Sequence, residues 1–508
     1  MISKLALLLL SVSGETFSAH SLDGIPYHLL NEPIVKKDGD YREYAGLVLG
    51  NKLKVLLISD KHSLYATAGM EIGTGWREDP KELPGISSLC NRFIFDKNVS
   101  ESMSFRQYIA SNRGDVYATN EYERTEVSYQ VPNKELDLSL ERFSELFVNP
   151  SFDEKLARER VEVVNENLKI SQNGPASYVQ AAKAALNSTH KYASFQFRPL
   201  DPKALNSTTL LNFFNKHYSA DLMALAVLGN ADMETLKKLV IPRFSKIKTS
   251  DLETITSGSP YNKQNQGKHI KIDSSPDGDR KLTIEFGLGP LTGESYMQLR
   301  FIGFLFKASK TNSLSKMLIS KAFFGGVNVD IEKFNGFSVF RVSMDKVSPA
   351  SLEKMVSVVF AYLETLKAHE FTLEDYQTFL RSISKGSIWD HRPQRQVAAL
   401  SSSLMRGTFA SVLGNFQDPT EIDFKAFDST INQLNTTNFN LHDVAPYDGP
   451  FQTEPQFGRK YAVSQLSEEF LAKLRAVTAK NYSEVAESAS LLDLNYAVPL
   501  FEFSIPRN

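Results

Sequence analysis

The sequence predicts an α+β protein built as two related domains, each a mostly antiparallel sheet with packed helices. Three observations carry this. Residues 46–250 run through strands, a helix pair, a strand hairpin and further helices, and the same order restarts at residue 268. Between them, residues 249–267 are rich in Ser, Thr, Gly, Asn, Gln and Pro, the composition of a linker. A chain of 508 residues, 42% hydrophobic and 23% charged, has the material for more than one globular core. The expected boundaries are 1–20 for a signal peptide, 22–248 for the first domain, 249–267 for the linker and 268–508 for the second domain.

The N-terminus supplies the signal-peptide expectation. Lys4 gives a positive start, Leu5 to Val12 is a compact apolar run, and the small residues Ser13, Gly14 and Ala19 each offer a cleavage position. Residues 22–45 read as polar and irregular. Strands are expected from Gly46 and Leu53 onward and at Ala66–Gly73, with turns at Asp60–Ser63 and Gly75–Pro80. Gly85 then opens a helix whose Ile86, Leu89, Cys90, Phe93 and Ile94 recur at helical spacing. A short helix over Ser104–Ser111 precedes a hairpin formed by Val116–Asn120 and Glu123–Val131. Helices follow at Leu136–Val148, Glu154–Gln172, 176–187 and Leu205–His217, then a buried strand at Leu222–Gly229 and a helix at Met233–Ile247. Past the linker come strands at Lys268–Asp273 and Leu282–Gly287, helices at Leu299–Lys307 and Ser313–Lys321, strands at Val327–Ile331 and Gly336–Ser343, and helices at Pro349–His369, Leu373–Ser384 and Pro393–Leu404.

The stretch Gly85-Ile86-Ser87-Ser88-Leu89-Cys90-Asn91-Arg92-Phe93-Ile94-Phe95 resembles the active-site helix of the M16 (insulinase/pitrilysin) metallopeptidases, whose inverted zinc motif is His-x-x-Glu-His. Further stretches resemble the same family in order: Asn51–Asp60, Leu211–Gly229, Glu454–Tyr461 and Leu500–Pro506. The resemblance implies one two-domain half of a four-domain enzyme. It also implies where the chemistry belongs. Two imidazoles four residues apart share a helix face, a neighbouring Glu activates the metal-bound water, and a Glu from a later helix completes the set. Here Ser88 and Arg92 occupy the imidazole positions and Asn91 that of the base; only Glu166, in Val163-Val164-Asn165-Glu166-Asn167, matches a ligand. Arg cannot ligate a metal, and Asn cannot accept and return a proton. Zinc is therefore expected to be lost, with no catalytic residue among these positions, and either an Arg92–Glu166 ion pair takes its place or Arg92 points to solvent.

Nothing else in the chain offers catalytic chemistry. The nine histidines do not pair at metal-ligand spacing, and neither a Gly-x-Ser-x-Gly elbow nor a phosphate-binding loop occurs. Cys90 sits on an apolar helical face and reads as a buried thiol. A net charge of −2 without a long basic run argues against nucleic acid, and no apolar run reaches the roughly 20 residues of a transmembrane segment. The resemblance implies peptide binding along an edge strand, placing Tyr117, Ala118 and Thr119 there, with Gly325 and Gly326 near a second contact. Five sequons, Asn98, Asn187, Asn206, Asn435 and Asn481, fit a secreted or secretory-pathway protein as glycosylation candidates. The function expected from these readings is a secreted, inactive homologue that binds protein or peptide. Its partner would be another M16-like chain or a second copy of itself. The alternative is a zinc endopeptidase active only in complex with a partner or through an unrecognised site.

Overall fold

The computed structural model describes residues 14–36, 39–100, 103–170, 175–194, 206–251, 258–274, 280–307, 314, 326–347, 352–383, 392–413, 422–454 and 457–476. Its strands are β1 (Phe17–Leu22), β2 (Ile25–Leu30), β3 (Glu43–Leu49), β4 (Lys54–Ser59), β5 (Tyr65–Ile72), β6 (Asn98–Ser100), β7 (Met103–Ser104), β8 (Asp115–Asn120), β9 (Thr125–Pro132), β10 (Met223–Gly229), β11 (Lys268–Asp273), β12 (Lys281–Leu288), β13 (Gly326–Lys333), β14 (Ser338–Asp345), β15 (Asn440–Ala445), β16 (Gln452–Thr453) and β17 (Lys460–Gln465). The longer helices are α1 (Ile86–Ile94), α2 (Phe105–Ser111), α3 (Leu136–Val148), α4 (Glu154–Ile170), α5 (Pro175–Ala182), α6 (Ser207–His217), α7 (Met233–Phe244), α8 (Gly293–Lys307), α9 (Leu352–Ala368), α10 (Leu373–Ile383), α11 (Pro393–Arg406), α12 (Phe424–Asn432) and α13 (Glu468–Arg475).

These elements form two compact units drawn from interleaved stretches: residues 1–167, 197–254 and 384–419 make the first, and 168–196, 255–383 and 420–508 the second. The first unit holds a sheet in the order β1-β2-β3-β4-β10-β5-β9-β8. Neighbours are antiparallel except β10 with β4. β10 is central, and each of its residues is buried. Its unbroken run Met-Ala-Leu-Ala-Val-Leu reflects burial on both faces. One face carries Ala68, Met70 and Tyr129 against Phe93 of α1, Phe105 of α2 and Phe143 of α3. On the other face, Leu56, Ile58, Ala224 and Ala226 meet Val397, Leu400 and Leu404 of α11.

The second unit repeats the plan. Its sheet runs β13-β14-β12-β15-β11-β17-β16, and again one pair, β15 with β11, is parallel. The series β4-β10-β5-β9-β8 therefore recurs as β11-β15-β12-β14-β13, ending in an edge strand each time. An aromatic core of Phe286, Phe301, Phe306, Phe340, Phe360 and Tyr362 fills one face. Ala181, Ala182 and Ala185 pack on the other, against Ile270, Ile272 and Val444. Among the described residues no helix is long and apolar enough to cross a membrane.

Two expectations need correction. Residues 22–45 are not irregular: β1 and β2 form a hairpin through Asp23 and Gly24, both at positive φ (50° and 81°), as a two-residue turn of this hand requires. β1 also overlaps the expected signal peptide, with Ala19 paired to His28 inside the sheet; residues 1–13 lie outside the described part. The stretch read as linker is also partly packed. Tyr261 is 8% exposed and donates to Glu285 Oε1 at 2.9 Å. Its ring lies on Gly287, where an added Cβ would meet Tyr261 Cγ at 2.1 Å. The expected helix at Ser313–Lys321 lies outside the described residues except for Leu314.

Candidate functional site

α1 is built for burial on one side and tethering on the other. Ile86, Leu89, Cys90, Phe93 and Ile94 are all buried in the first unit's core. Gly85 precedes the helix at φ 102°, a left-handed conformation that glycine adopts without strain. The helix N-terminus is satisfied by Asp79, whose carboxylate accepts from the Gly85 amide at 2.5 Å and the Ser87 amide at 3.0 Å. Burial pushes this carboxyl up to about 7, outweighing the hydrogen bonds from Ser87 and Gly85 that pull it down. The buried Cys90 thiol is likewise pushed well up.

The positions that the resemblance singles out on α1 are Ser88, Asn91 and Arg92. Ser88 is half-buried, and its Oγ donates to Asn120 Oδ1 at 2.8 Å, with Ser87 Oγ on the same acceptor at 3.3 Å. Asn120 Nδ2 donates to Thr125 Oγ1 at 2.7 Å, and Thr125 Oγ1 donates to the Thr74 carbonyl at 2.7 Å. A polar chain thus fastens α1 to the end of β8. Asn91 is 4% exposed, and its Oδ1 has no hydrogen-bond partner among the described residues. Arg92 is exposed, one turn beyond Ser88, and Glu166 is exposed on α4.

The expected Arg92–Glu166 pair is not formed: among the described residues, no ion pair joins the two. Both side chains reach solvent, where a pair gains only about 0–1 kcal/mol over hydration. Nor does the donor set fit a divalent metal. The Ser88 hydroxyl is engaged, Arg92 is a permanent cation and Asn91 offers a neutral amide. Among the described residues, no group of three or more His, Cys, Asp or Glu is placed to hold a metal ion.

The peptide-contact candidates fall on sheet edges. β8 ends the first sheet and, among the described residues, pairs only with β9. Register separates the three residues. Ala118 lies opposite Val127 and packs toward the core on the α1 side, whereas Tyr117, opposite Ser128, and Thr119, opposite Glu126, face the other way. Tyr117 is 51% exposed. Gly326 begins the edge strand β13 at φ 152°, opposite Asp345; Gly325 lies outside the described residues. Asn98 and Asn206 are exposed, Asn206 capping α6 through Thr209. Asn187 and Asn435 are half-buried, each accepting from the Thr two residues on. Asn481 lies outside the described residues.

Sequence reasoning missed Asn120 and Asp79. Period-two alternation from Ala118 puts Asn120 on the α1 face of β8, a signal present in the sequence. Asp79 lies six residues before Gly85 and had no local signal, because a loop brings it back to the helix end.

The fold is thus two α+β units, each with a mostly antiparallel sheet that ends in an edge strand. The comparisons give it a family. Residues 54–196 match the profile described as Insulinase (Peptidase family M16), and residues 204–382 match Peptidase M16 inactive domain. The chain belongs to the M16 family. It is similar to the insulin-degrading enzyme of Mus musculus, 25% identical over 484 residues, covering 90% of this chain and 47% of that protein. The A-factor-processing enzyme of Saccharomyces cerevisiae is 27% identical over 362 residues, covering 67% of this chain and 35% of that protein. In fold it is similar to the crystal structure of pitrilysin, with a TM-score of 0.78 at 19% identity, covering 90% of this chain and 50% of that one. The chain thus spans about half or less of the length of these relatives.

Proposed function

We propose that this chain is a secreted, catalytically inactive M16 homologue that acts by binding, as a non-catalytic half pairing with another M16-like chain or with a second copy of itself. The observation that carries this reading is the α1 stripe: Ser88 is tied to Asn120, Asn91 is buried and Arg92 is exposed, so the positions that would hold zinc and the base hold neither. The zinc is lost with them. What remains is two separate strand edges for extended peptides: in the first unit that of β8, unpaired on one side among the described residues, with Ala118 and Asn120 on the α1 side, and in the second unit that of β13, beginning at Gly326. Strand addition there uses main-chain hydrogen bonds and needs no metal. Secretion is supported by the N-terminal apolar run and the sequons.

Two measurements test the reading. Metal analysis of the dialysed protein is expected to find no stoichiometric zinc; zinc that survives dialysis would overturn the inactive assignment. Affinity purification from the native source, followed by light scattering, is expected to find an associated M16-like chain or a dimer. A strictly monomeric chain that binds no extended peptide would sink the binding role.

A further inference from the structure

The face of the first sheet opposite α1 holds a buried polar row that the binding reading does not use. On β5 and β9 the residues pointing to that face are Thr67, Gly69 and Glu71, opposite Gln130, Ser128 and Glu126. Glu71 and Glu126 are direct cross-strand partners, 1% and 9% exposed. Like charges placed so are mutually destabilising when both ionise. Four oxygens of this row are buried with no hydrogen-bond partner among the described residues: Thr67 Oγ1, Glu71 Oε2, Ser128 Oγ and Gln130 Oε1.

α11 covers the row. A methyl on Gly69 would stand 3.2 Å from the Val397 carbonyl carbon and the Ala398 nitrogen, so the helix backbone lies directly on the strand. Gln394 Nε2 donates to the Ser128 carbonyl at 3.1 Å and toward the Asp115 carbonyl of β8 at 3.4 Å. At the other end, Ser402 Oγ donates to Glu71 Oε1 at 3.4 Å.

The charged groups around the carboxylates come from every packed element. β9 brings Glu126; the turn before it brings Glu121 and Arg124; α11 brings Arg406, hydrogen-bonded to Ser402. β10 brings only Ala224, opposite Glu71. Arg124 is engaged by Glu121 through two bonds of 2.7 Å and reaches Glu71 Oε1 only at 3.4 Å. Two cations thus face three carboxylates, and Glu71 Oε2 is left without a donor.

We propose that α11 is a proton-gated cover: a proton held between Glu71 and Glu126 keeps the helix seated on β5 and β9, and its loss loosens the helix and the end of β8 that Gln394 holds. The proton removes one of the two cross-strand charges and gives the Glu71 carboxyl a hydrogen to donate. Burial raises both carboxyls, Glu71 to about 7. A raised value in the seated state means that seating is strongest below the solvated value of 4.5 and weakens as pH climbs to about 7. The device does not depend on what β8 binds.

Hydrogen–deuterium exchange of the full chain at pH 5.5 and 8.0, corrected for intrinsic exchange, tests it. The reference is α3, which packs on the opposite face of the same sheet. Protection of α11 is expected to fall about tenfold or more relative to α3 on going to pH 8.0. Glu71→Gln is expected to remove most of that difference; if it does not fold, Glu126→Gln, which leaves Glu71 buried, is expected to shrink it. Equal relative protection of α11 at both pH values would overturn the proposal. So would a fall of undiminished size in a folded Gln variant.

Discussion

Asp79 is the residue whose removal should say most about how α1 is held. It is 7% exposed and accepts two backbone amides at the start of the helix. Asp79→Ala strands both donors; with each buried unmade bond costing about 1–3 kcal/mol, we expect a loss of about 2–4 kcal/mol. Asp79→Asn keeps one acceptor oxygen and should lose less. The two variants also separate capping from charge. Because the folded-state value is raised from 3.8 to about 7, the native protein binds the proton more tightly than the unfolded chain. Stability from this group is therefore fully present below about pH 4 and lost as pH rises toward 7, by at most about 4 kcal/mol. Urea unfolding at pH 5.0 and 8.0 measures it. Wild type should lose more stability across that interval than Asp79→Asn, because the amide has no proton to lose. Equal losses in the two proteins, or greater stability of Asp79→Ala than of wild type at pH 5.0, would refute the reasoning.

Three further outcomes are expected. Replacing Ser88, Asn91 and Arg92 together by His, Glu and His should create stoichiometric zinc binding that Glu166→Gln weakens; a triple variant that folds and stays metal-free would show that the helix frame no longer suits the ion. Gly287→Ala drives a methyl into the Tyr261 ring and should cost on the order of 2–3 kcal/mol, measured as a fall in unfolding midpoint that Tyr261→Ala makes non-additive. Arg341 donates to Glu285 at 2.7 Å in the second unit, so Arg341→Met should destabilise by about 3–5 kcal/mol by leaving that buried carboxylate without its guanidinium and with only the Tyr261 hydroxyl, whereas Arg341→Met with Glu285→Leu should recover part of the loss in the same denaturation assay.

Much of the local structure was legible because periodicity reports burial. The alternation at Val116–Asn120 and the helical spacing from Ile86 to Ile94 each matched one element. The β1–β2 hairpin was missed although Asp23-Gly24, a strong turn signal, lies between its strands; the expected signal peptide masked the first strand. The Arg92–Glu166 pair failed for a different reason. Positions that share a site in the family need not meet once side-chain lengths and solvation change, and two long exposed chains have little to gain by meeting.

The sequence by itself determined the two-unit α+β plan and the apolar face of α1, since both follow from spacing along the chain. Only the tertiary structure decided which face each residue of β8 presents, that Asn120 holds Ser88, and that residues 384–419 belong with the first sheet and 168–196 with the second. Those are contacts between residues far apart in sequence. α11 covers Glu71 across more than 300 positions of chain, and no local period records such a meeting.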